Sequence, residues 1–380
     1  DLSIPHFRTQ ATISALRTSL IMITASLIGL GMLMVYSSSV SSNSENLEFY
    51  YTKRHITWLT VGMLACLITS FVPARFWKIL AIPLFILSLG LLITVLIPGI
   101  GSKIRGSQRW IRWGSVGIQP SEFTKITLIL SLARIVTLDR FHNSSEWAKL
   151  LWIFVPTVSA AGLVVVQPDF GTSIFLLGTG FLVAYLSSIH LKNLTALTLL
   201  IIPLLGLLLV KEPYRLKRLT GYIHTWSDQS LAPYHTKQSL ISLGSGGLQG
   251  KGIGKGWQKL SYLPEANNDF VFAVIGEEMG LVGTLTVVML WGAFVFVGWR
   301  LAANTAHIPY QYMVVTVLVF CLTIQAITNL AVVTALIPAK GIPLPFISYG
   351  GSSLFVSLVS IGIIIGFSRN PYPEQTFVSP

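Results

Sequence analysis

Charge is what this chain has least of. Only 11% of its 380 residues are charged, and Asp and Glu together number 14. A soluble domain carries about a quarter charged residues, so this scarcity excludes an ordinary soluble globular protein. Apolar residues make up 52% of the sequence, and its mean hydropathy is +0.69. These values indicate a protein that crosses a membrane several times.

Cysteine is equally scarce. The two cysteines, Cys66 and Cys321, lie inside apolar runs, where a thiol is most simply a small buried apolar side chain. Histidine and cysteine residues do not stand at the spacing of metal ligands, and the glycine fingerprints of nucleotide-binding loops are absent. The sequence therefore shows no His–Cys metal-binding motif and no nucleotide-binding fingerprint.

The chain is rich in long apolar runs instead. A run of about 18 or more apolar residues can span a bilayer as a helix, whereas the strands of a membrane barrel alternate over about ten residues. The runs predict an all-α membrane protein, a polytopic bundle of about ten transmembrane helices. They cover residues 16–36, 56–72, 76–97, 121–137, 150–166, 170–187, 194–210, 270–301, 310–337 and 346–367.

Lysine and arginine are distributed unevenly between the connections. On the side of the N-terminus the helix ends and connections hold ten of them, whereas the short connections on the other side hold Lys53, Arg54 and Lys340. The positive-inside rule then places both termini in the cytoplasm. We predict a single membrane domain over residues 1–380, with residues 211–268 as a large extracytoplasmic loop within it.

Two of the predicted outer connections are strongly basic. Residues 98–120 carry four Lys and Arg residues and no acid, and residues 211–268 carry eight against three acids. An anionic ligand at the outer leaflet explains this charge, and contact with ordinary anionic headgroups explains it equally well. Basic residues occur on both predicted membrane faces, which argues against nucleic acid as the partner of a chain with net charge +12.

Residues 262–280 place acidic groups at the mouth of an apolar run. A carboxylate at a bilayer boundary costs several kcal/mol unless it is solvated or partnered, so it is a functional candidate by default. Asp269 is the leading one. The structural alternative is that Asp269 caps the helix beginning at Phe270. For Glu277 and Glu278, farther along the run, we expect structural pairing.

Five other features stand out. Residues 108–114 alternate cations with aromatics, which we interpret as an interfacial segment, and residues 337–353 are rich in proline and glycine. Glu122 and Lys125 are three apart and should share a helix face, while Asp169 is placed to cap the next helix. The glycine-rich residues 242–252 either let backbone amides approach phosphates or form a flexible connector.

Together these motifs resemble the SEDS family (shape, elongation, division and sporulation), the polytopic peptidoglycan glycosyltransferases that include FtsW and RodA. The resemblance covers nearly the whole chain, from residues 34–38 to the last run. Lys340, before Gly-Ile-Pro-Leu-Pro, is more similar to the division-type FtsW members. The resemblance implies polymerisation of lipid II into β-1,4 glycan strands at the outer face of the bacterial cytoplasmic membrane.

The resemblance also implies roles for individual residues. The family's catalytic carboxylate falls on Asp269, as general base for the acceptor hydroxyl. Arg109, Lys251 and Lys340 are the predicted cations for the departing pyrophosphate, and Glu265 is a further predicted substrate contact. Asn267 and Asn268 stand where the family usually has His-Thr, so an adjacent histidine cannot tune this carboxylate.

The implied partners are lipid II, a class B penicillin-binding protein, other divisome proteins and membrane lipids. A cofactor is not implied with certainty, and a divalent cation stays open. Two other classes of function also stay open. Pro156 and Pro203 within the runs, and the break at residues 167–171, suit a flippase or transporter of lipid-linked precursors. A non-enzymatic divisome scaffold is the second alternative.

Overall fold

The structure is a computed structural model that describes residues 10–40, 45–104, 107–114, 116–210, 213–227 and 232–369. This part of the chain forms thirteen α-helices, three short strands and a π-helical turn. In chain order they are α1 (Gln10–Val40), α2 (Glu45–Phe71), α3 (Ala74–Leu96), β1 (Gly101–Ile104), β2 (Ser107–Trp113), β3 (Val116–Ile118), α4 (Pro120–Val136), α5 (Asp139–His142), α6 (Glu146–Val166), α7 (Phe170–Leu186), α8 (Leu191–Val210), α9 (Pro213–Ser227), α10 (Tyr234–Ser245), the π-turn (Gln258–Tyr262), α11 (Val271–Asn304), α12 (Pro309–Val333) and α13 (Gly351–Phe367).

The ten predicted runs coincide with ten of the helices in these ranges. Within the described residues, α1, α2, α3, α6, α11 and α12 contain segments long and apolar enough to cross a membrane, and α7, α8 and α13 are shorter apolar helices. The prediction of a multi-pass helical bundle is confirmed. The remaining helix, α4, carries Glu122, Lys125 and Arg134. It packs against α3, α6, α7, α12 and α13, so the side chains of Glu122 and Lys125, which are 8% and 11% exposed, are enclosed by protein.

The connections alternate between the two ends of the bundle. We call one end the Asp269 face. It contains Asp269 and the described parts of residues 97–119, 167–169, 211–270 and 334–350. The opposite face contains residues 72–73, 137–145, 187–190 and 305–308. Every residue proposed above for catalysis or substrate binding therefore lies at one end of the molecule.

The first basic connection is a sheet, which the interpretation as an interfacial segment did not include. Strands β1, β2 and β3 form an antiparallel sheet in sequential order. Successive residues of β2 point to opposite sides of the sheet, so Arg109 and Ile111 lie on one side, and Trp110 and Arg112 lie on the other. Gly101 is required in β1, because a Cβ there would overlap the carbonyl oxygen of Val95.

The described parts of residues 211–268 contain α9, α10 and the π-turn, so this segment is folded over much of its length. Two predicted boundaries also shift. The ninth run was expected to reach residue 337, but α12 ends at Val333, and the last helix begins at Gly351 rather than at residue 346. Phe346 has a φ of 68°, a left-handed conformation that a helix does not contain. The intervening residues form a structured loop over the N-terminus of α11.

Candidate functional site

Asp269 lies immediately before α11 on the Asp269 face. The N-cap position of this helix is Phe270 rather than Asp269. The side chain of Asp269 is half-buried and lies against Gly341 in the loop after α12. A Cβ on Gly341 would stand 2.8 Å from Oδ2 of Asp269, closer than real Cβ contacts. Glycine at residue 341 thus makes room for the carboxylate.

A buried side-chain amide in α12 holds the backbone of both segments that meet at the contact between Asp269 and Gly341. Asn329, in α12, is 1% exposed. Its Nδ2 donates to the carbonyl oxygen of Asp269 at 2.8 Å and to that of Ile342 at 2.7 Å. The segment before Asp269 is held in the same way, since the amide of Tyr349 donates to the carbonyl oxygen of Asn267 at 2.9 Å. Hydrogen bonds from two elements therefore position the carboxylate.

Glu265 shapes the turn that leads into Asp269. Its φ is 57°, and its carbonyl oxygen accepts from the amides of Asn268 at 3.0 Å and Phe270 at 3.3 Å. Its carboxylate also accepts from Nδ2 of Asn268. The two asparagines that replace the usual His-Thr pair are thus part of this hydrogen-bonded turn. Glu265 lies four residues before Asp269, within the candidate site.

Lys340 directly precedes the glycine that contacts Asp269. Its Nζ donates to the carbonyl oxygen of Gly171 at 2.7 Å, and a Cβ on Gly171 would overlap the lysine side chain. Burial lowers the pKa of Lys340 to about 8; nearby Asp169 raises it in part and Lys125 lowers it further. Lys340, which loses its positive charge at about pH 8, thus lies in the loop that contacts Asp269.

Arg109 reaches from β2 to the turn between α6 and α7. Its guanidinium donates to the carbonyl oxygens of Gln167, at 3.2 Å, and Pro168. It also lies 3.6 Å from the Asp169 carboxylate, and 28% of its side chain is exposed. Asp169 accepts from the amide of Thr172 at 3.1 Å and caps α7, which confirms that prediction. Arg109 therefore contacts the turn between α6 and α7, and Lys340 contacts the first turn of α7 that follows it.

Lys251 is held against α11. Its Nζ lies 2.8 Å from Oε1 of Glu277, which is fully buried, while 36% of the lysine side chain is exposed. The structural pairing expected for Glu277 is present, and its partner is a lysine of residues 211–268. Glu277 also accepts from the amides of Trp257 and Gln258 at 3.0 and 3.1 Å.

Glu278 pairs with Lys259 of the π-turn in the same way. Their charged atoms are 2.6 Å apart and both side chains are 0% exposed. Ser37 of α1 joins them, donating to the Glu278 carboxylate and accepting from Lys259 at 2.7 Å. The network ties α1, the π-turn and α11 together, with Lys259 ten residues before Asp269 and Glu278 nine residues after it.

The glycine-rich segment packs on the same part of α11. Cβ atoms at Gly246 and Gly250 would overlap backbone atoms of Gly276 and Glu278. The amide of Gly252 donates to the carbonyl oxygen of Glu278 at 3.0 Å. These glycines permit backbone-to-backbone contact with the helix, which neither the phosphate-loop nor the flexible-connector hypothesis included.

Two polar residues of α12 and one arginine of α9 were not identified from the sequence. Gln325 accepts from Lys125 at 3.1 Å and donates to the carbonyl oxygen of Pro343 at 3.1 Å. Gln325 and Asn329 are four apart in an apolar run, a spacing that places both on one helix face and that could have identified them. Arg218 donates to the carbonyl oxygen of Ala339 at 3.3 Å.

The arrangement combines one carboxylate with several cations. Asp269 lies on the same face as Lys340, Arg109 and Arg218. The loop of residues 334–350 contains Lys340 and contacts both Asp269 and Arg218. A carboxylate can accept a proton while the cations stabilise an anionic group nearby. Within the described ranges, groups of three or more His, Cys, Asp and Glu residues that would hold a metal ion do not occur.

Comparison with known proteins gives matches over nearly the whole chain. A family model described as a cell cycle protein and named for FtsW, RodA and SpoVE matches residues 18–372. The chain is 37% identical over 352 residues to the "Probable peptidoglycan glycosyltransferase FtsW" of Coxiella burnetii, covering 91% of this chain and 94% of that protein. It is 34% identical to the stage V sporulation protein E of Bacillus subtilis, covering 92% and 96%.

Solved structures share the fold. One chain, from a study of the "structural coordination of polymerization and crosslinking by a peptidoglycan synthase complex", superposes with a TM-score of 0.75 at 26% identity, covering 93% of this chain and 97% of that one. The rod shape determining protein RodA of Thermus thermophilus superposes with a TM-score of 0.64 at 27% identity, with the same coverages. The bundle described above is thus shared with both structures.

Proposed function

Because the chain belongs to the FtsW/RodA/SpoVE family of cell cycle proteins, we propose that it is a peptidoglycan glycosyltransferase that polymerises lipid II into β-1,4 glycan strands in cell division. Relatives at about 35% identity over most of the chain carry the name peptidoglycan glycosyltransferase FtsW. These names favour an enzyme over the flippase and scaffold alternatives. The single observation on which the catalytic proposal depends is the half-buried Asp269 carboxylate against Gly341, beside Lys340.

Asp269 is the general base in this proposal. It takes the proton of the acceptor 4-hydroxyl as that oxygen bonds to the anomeric carbon of the donor sugar. The bond to the pyrophosphate breaks on the opposite side of this carbon, which inverts an α-linked donor to a β-linked product. One base is sufficient because no covalent intermediate forms. General-base catalysis of this kind contributes about 10²–10⁴-fold.

The departing pyrophosphate needs positive charge. Arg109 contacts the turn between α6 and α7, Lys340 contacts the first turn of α7, and Arg218 contacts the residue before Lys340. Cations fixed near developing negative charge stabilise the transition state. Lys251 and Glu265 stay proposed substrate contacts, since Lys251 has an exposed portion beside Glu277 and Glu265 forms the turn before the base.

The activity is tested with purified protein and lipid II in detergent or liposomes. The enzyme yields glycan polymer, detected by gel electrophoresis of labelled product. A flippase would move lipid II across a liposome bilayer without forming polymer, and a scaffold would do neither. Absence of polymer under conditions where a related enzyme is active would contradict the proposal.

Polymerisation should depend on pH through Lys340. Its pKa of about 8 lies below the usual value, so the cation is present at lower pH and is lost as pH rises through about 8. We expect the rate to fall in that range. Arginine stays protonated, so Lys340→Arg should remove this part of the fall in a pH–rate profile. An unchanged profile would exclude Lys340 as the titrating group.

Gly341→Ala should displace the base. The added Cβ would stand 2.8 Å from Oδ2 of Asp269, so the carboxylate must move by several tenths of an ångström. Misplaced catalytic groups lose much of their rate, and we expect at least a tenfold lower polymerisation rate with unchanged folding. Gly292→Ala is the matched control, because a Cβ there has open space. Equal activity of both variants would contradict this positioning.

We further propose that the Asp269 face is extracytoplasmic and that both termini are cytoplasmic, in the bacterial inner membrane. The charge asymmetry of the connections supports this orientation. In a variant lacking Cys66 and Cys321, a cysteine replacing Ser245 should react with an impermeant thiol reagent outside intact cells. A cysteine replacing Ser144, on the opposite face, should react only after permeabilisation. The reverse pattern would invert the topology.

A crosslinking partner follows from the same comparison. The solved neighbour comes from a peptidoglycan synthase complex that coordinates polymerisation with crosslinking. We propose a class B penicillin-binding protein as the transpeptidase partner of this chain, together with other divisome proteins. Co-purification of the two full-length proteins tests the pairing, and a transpeptidase that elutes separately at micromolar concentration would contradict it.

A further inference from the structure

An open apolar groove lies on the membrane face opposite Asp269. It runs between the end of α2 and the start of α3 and has a volume of about 640 Å³, within the range of about 300–1,000 Å³ that ligand sites occupy. Its walls are entirely apolar: Leu67, Ile68, Phe71, Val72, Pro73, Phe76 and Leu80.

The walls of the groove face the lipid rather than the bundle. Leu67 is 57% exposed, Ile68 63%, Phe71 61% and Phe76 55%. Both helices belong to the segments long and apolar enough to cross a membrane. A concave apolar surface at this place fits an acyl chain, because it lies beside the lipid tails and has no polar group to pair.

Two arginines lie next to wall residues of this groove, one in the sequence and one in space. Arg75 follows the wall residue Pro73 by two residues and is exposed. The guanidinium of Arg369 lies over the ring of Phe71, 4.4 Å from its centre, and Arg17 of α1 is close enough to Arg369 for the two charges to repel. The Nε of Arg17 is buried and has no hydrogen-bond partner among the described residues.

These arginines have no carboxylate partner in the part of the chain that the structure describes. Arg17, Arg75 and Arg369 form no ion pair there. On the same membrane face, Glu146 is already paired with Lys149 at 3.0 Å and with His190 at 2.8 Å. Two neighbouring like charges with an unpaired buried donor favour an anion from outside the protein.

We propose that this groove binds one anionic phospholipid of the leaflet opposite the Asp269 face. One acyl chain lies along Leu67, Phe71 and Phe76. The phosphate group accepts hydrogen bonds from Arg75 and Arg369, with Arg17 adding charge behind them. Guanidinium groups bind phosphate through paired, charge-assisted hydrogen bonds. The site is separate from the proposed catalytic residues and does not depend on their function.

Lipid retention by the purified full chain tests the proposal. The protein is incubated with dioleoyl phosphatidylglycerol or dioleoyl phosphatidylcholine, and bound lipid is measured by native mass spectrometry over a concentration series. We expect tighter binding of phosphatidylglycerol. Arg75→Gln should weaken it about fivefold, the factor that corresponds to ~1 kcal/mol for one cation near an anionic lipid. Arg75→Gln/Arg369→Gln should weaken it further.

Arg300→Gln is the matched control. Arg300 also lies over an aromatic ring, 4.9 Å from the centre of Phe296, on the same membrane face but in α11, and its removal should leave phosphatidylglycerol binding unchanged. An equal loss in this variant would mean a general charge effect and would overturn the site. Equal retention of phosphatidylglycerol and phosphatidylcholine would also overturn the site. That result is expected if a helix of a partner protein fills the groove. Displacement of the lipid by glycerol 3-phosphate would indicate a site for free phosphate esters instead.

Discussion

Asp269→Asn is expected to lose polymer formation by about 10²–10⁴-fold while still folding and binding lipid II. Asparagine has the same shape as aspartate, so the contact with Gly341 and the hydrogen bonds of Asn329 to the backbone can be kept. The amide cannot accept the proton of the acceptor hydroxyl. The measurement is the initial rate of glycan synthesis from lipid II, with binding of lipid II determined separately.

Asp139→Asn is the matched control for this variant. Asp139 is an exposed aspartate in the first turn of α5, on the face opposite Asp269, and its change removes the same charge. It should leave the rate unaltered. Near-normal polymer formation by Asp269→Asn would remove this carboxylate from the mechanism. Loss of lipid II binding together with activity would assign Asp269 to substrate binding instead of proton transfer.

The helical bundle could be predicted from the sequence because a bilayer sets the length of an apolar helix. That rule identified ten runs, and ten helices stand at those positions in the described structure. It was weakest for the fourth and sixth runs, which are short and carry polar residues; in α4 these include the charged side chains of Glu122 and Lys125. Their partners explain why the helix still forms: Glu122 and Lys125 are 2.8 Å apart, and Lys125 also reaches Gln325.

The geometry of the candidate site could be predicted only in part. The sequence places Asp269 at a helix start and Lys340 in a glycine- and proline-rich loop, but these residues are 71 positions apart. Their approach depends on Asn329, a side chain that donates to both segments. Hydropathy carries no information about such long-range hydrogen bonds. The partner of Lys251 was missed for the same reason, since Glu277 lies 26 residues later.

Lys259→Met should destabilise the protein by about 3–5 kcal/mol, the usual cost of leaving one member of a buried ion pair without its partner. Lys259 and Glu278 are both 0% exposed, so water cannot replace the lost charge. Ser37 and the amide of Gly254 still donate to Glu278, but neither carries a positive charge. The free energy of unfolding is measured by SDS titration in mixed micelles, followed by tryptophan fluorescence.

Lys251→Met is the control that separates burial from charge. Lys251 and Glu277 are 2.8 Å apart, similar to the 2.6 Å between Lys259 and Glu278, but 36% of the Lys251 side chain is exposed. Two backbone amides also continue to donate hydrogen bonds to Glu277 when the lysine is removed. Its removal should cost roughly 1.5 kcal/mol, the scale of one hydrogen bond to a charged group. In Lys259→Met/Glu278→Met most of the loss should be recovered, because an apolar pair leaves no buried charge. Equal losses in the two single variants, or no recovery in the double variant, would show that the buried charge of Glu278 does not determine the stability of this network.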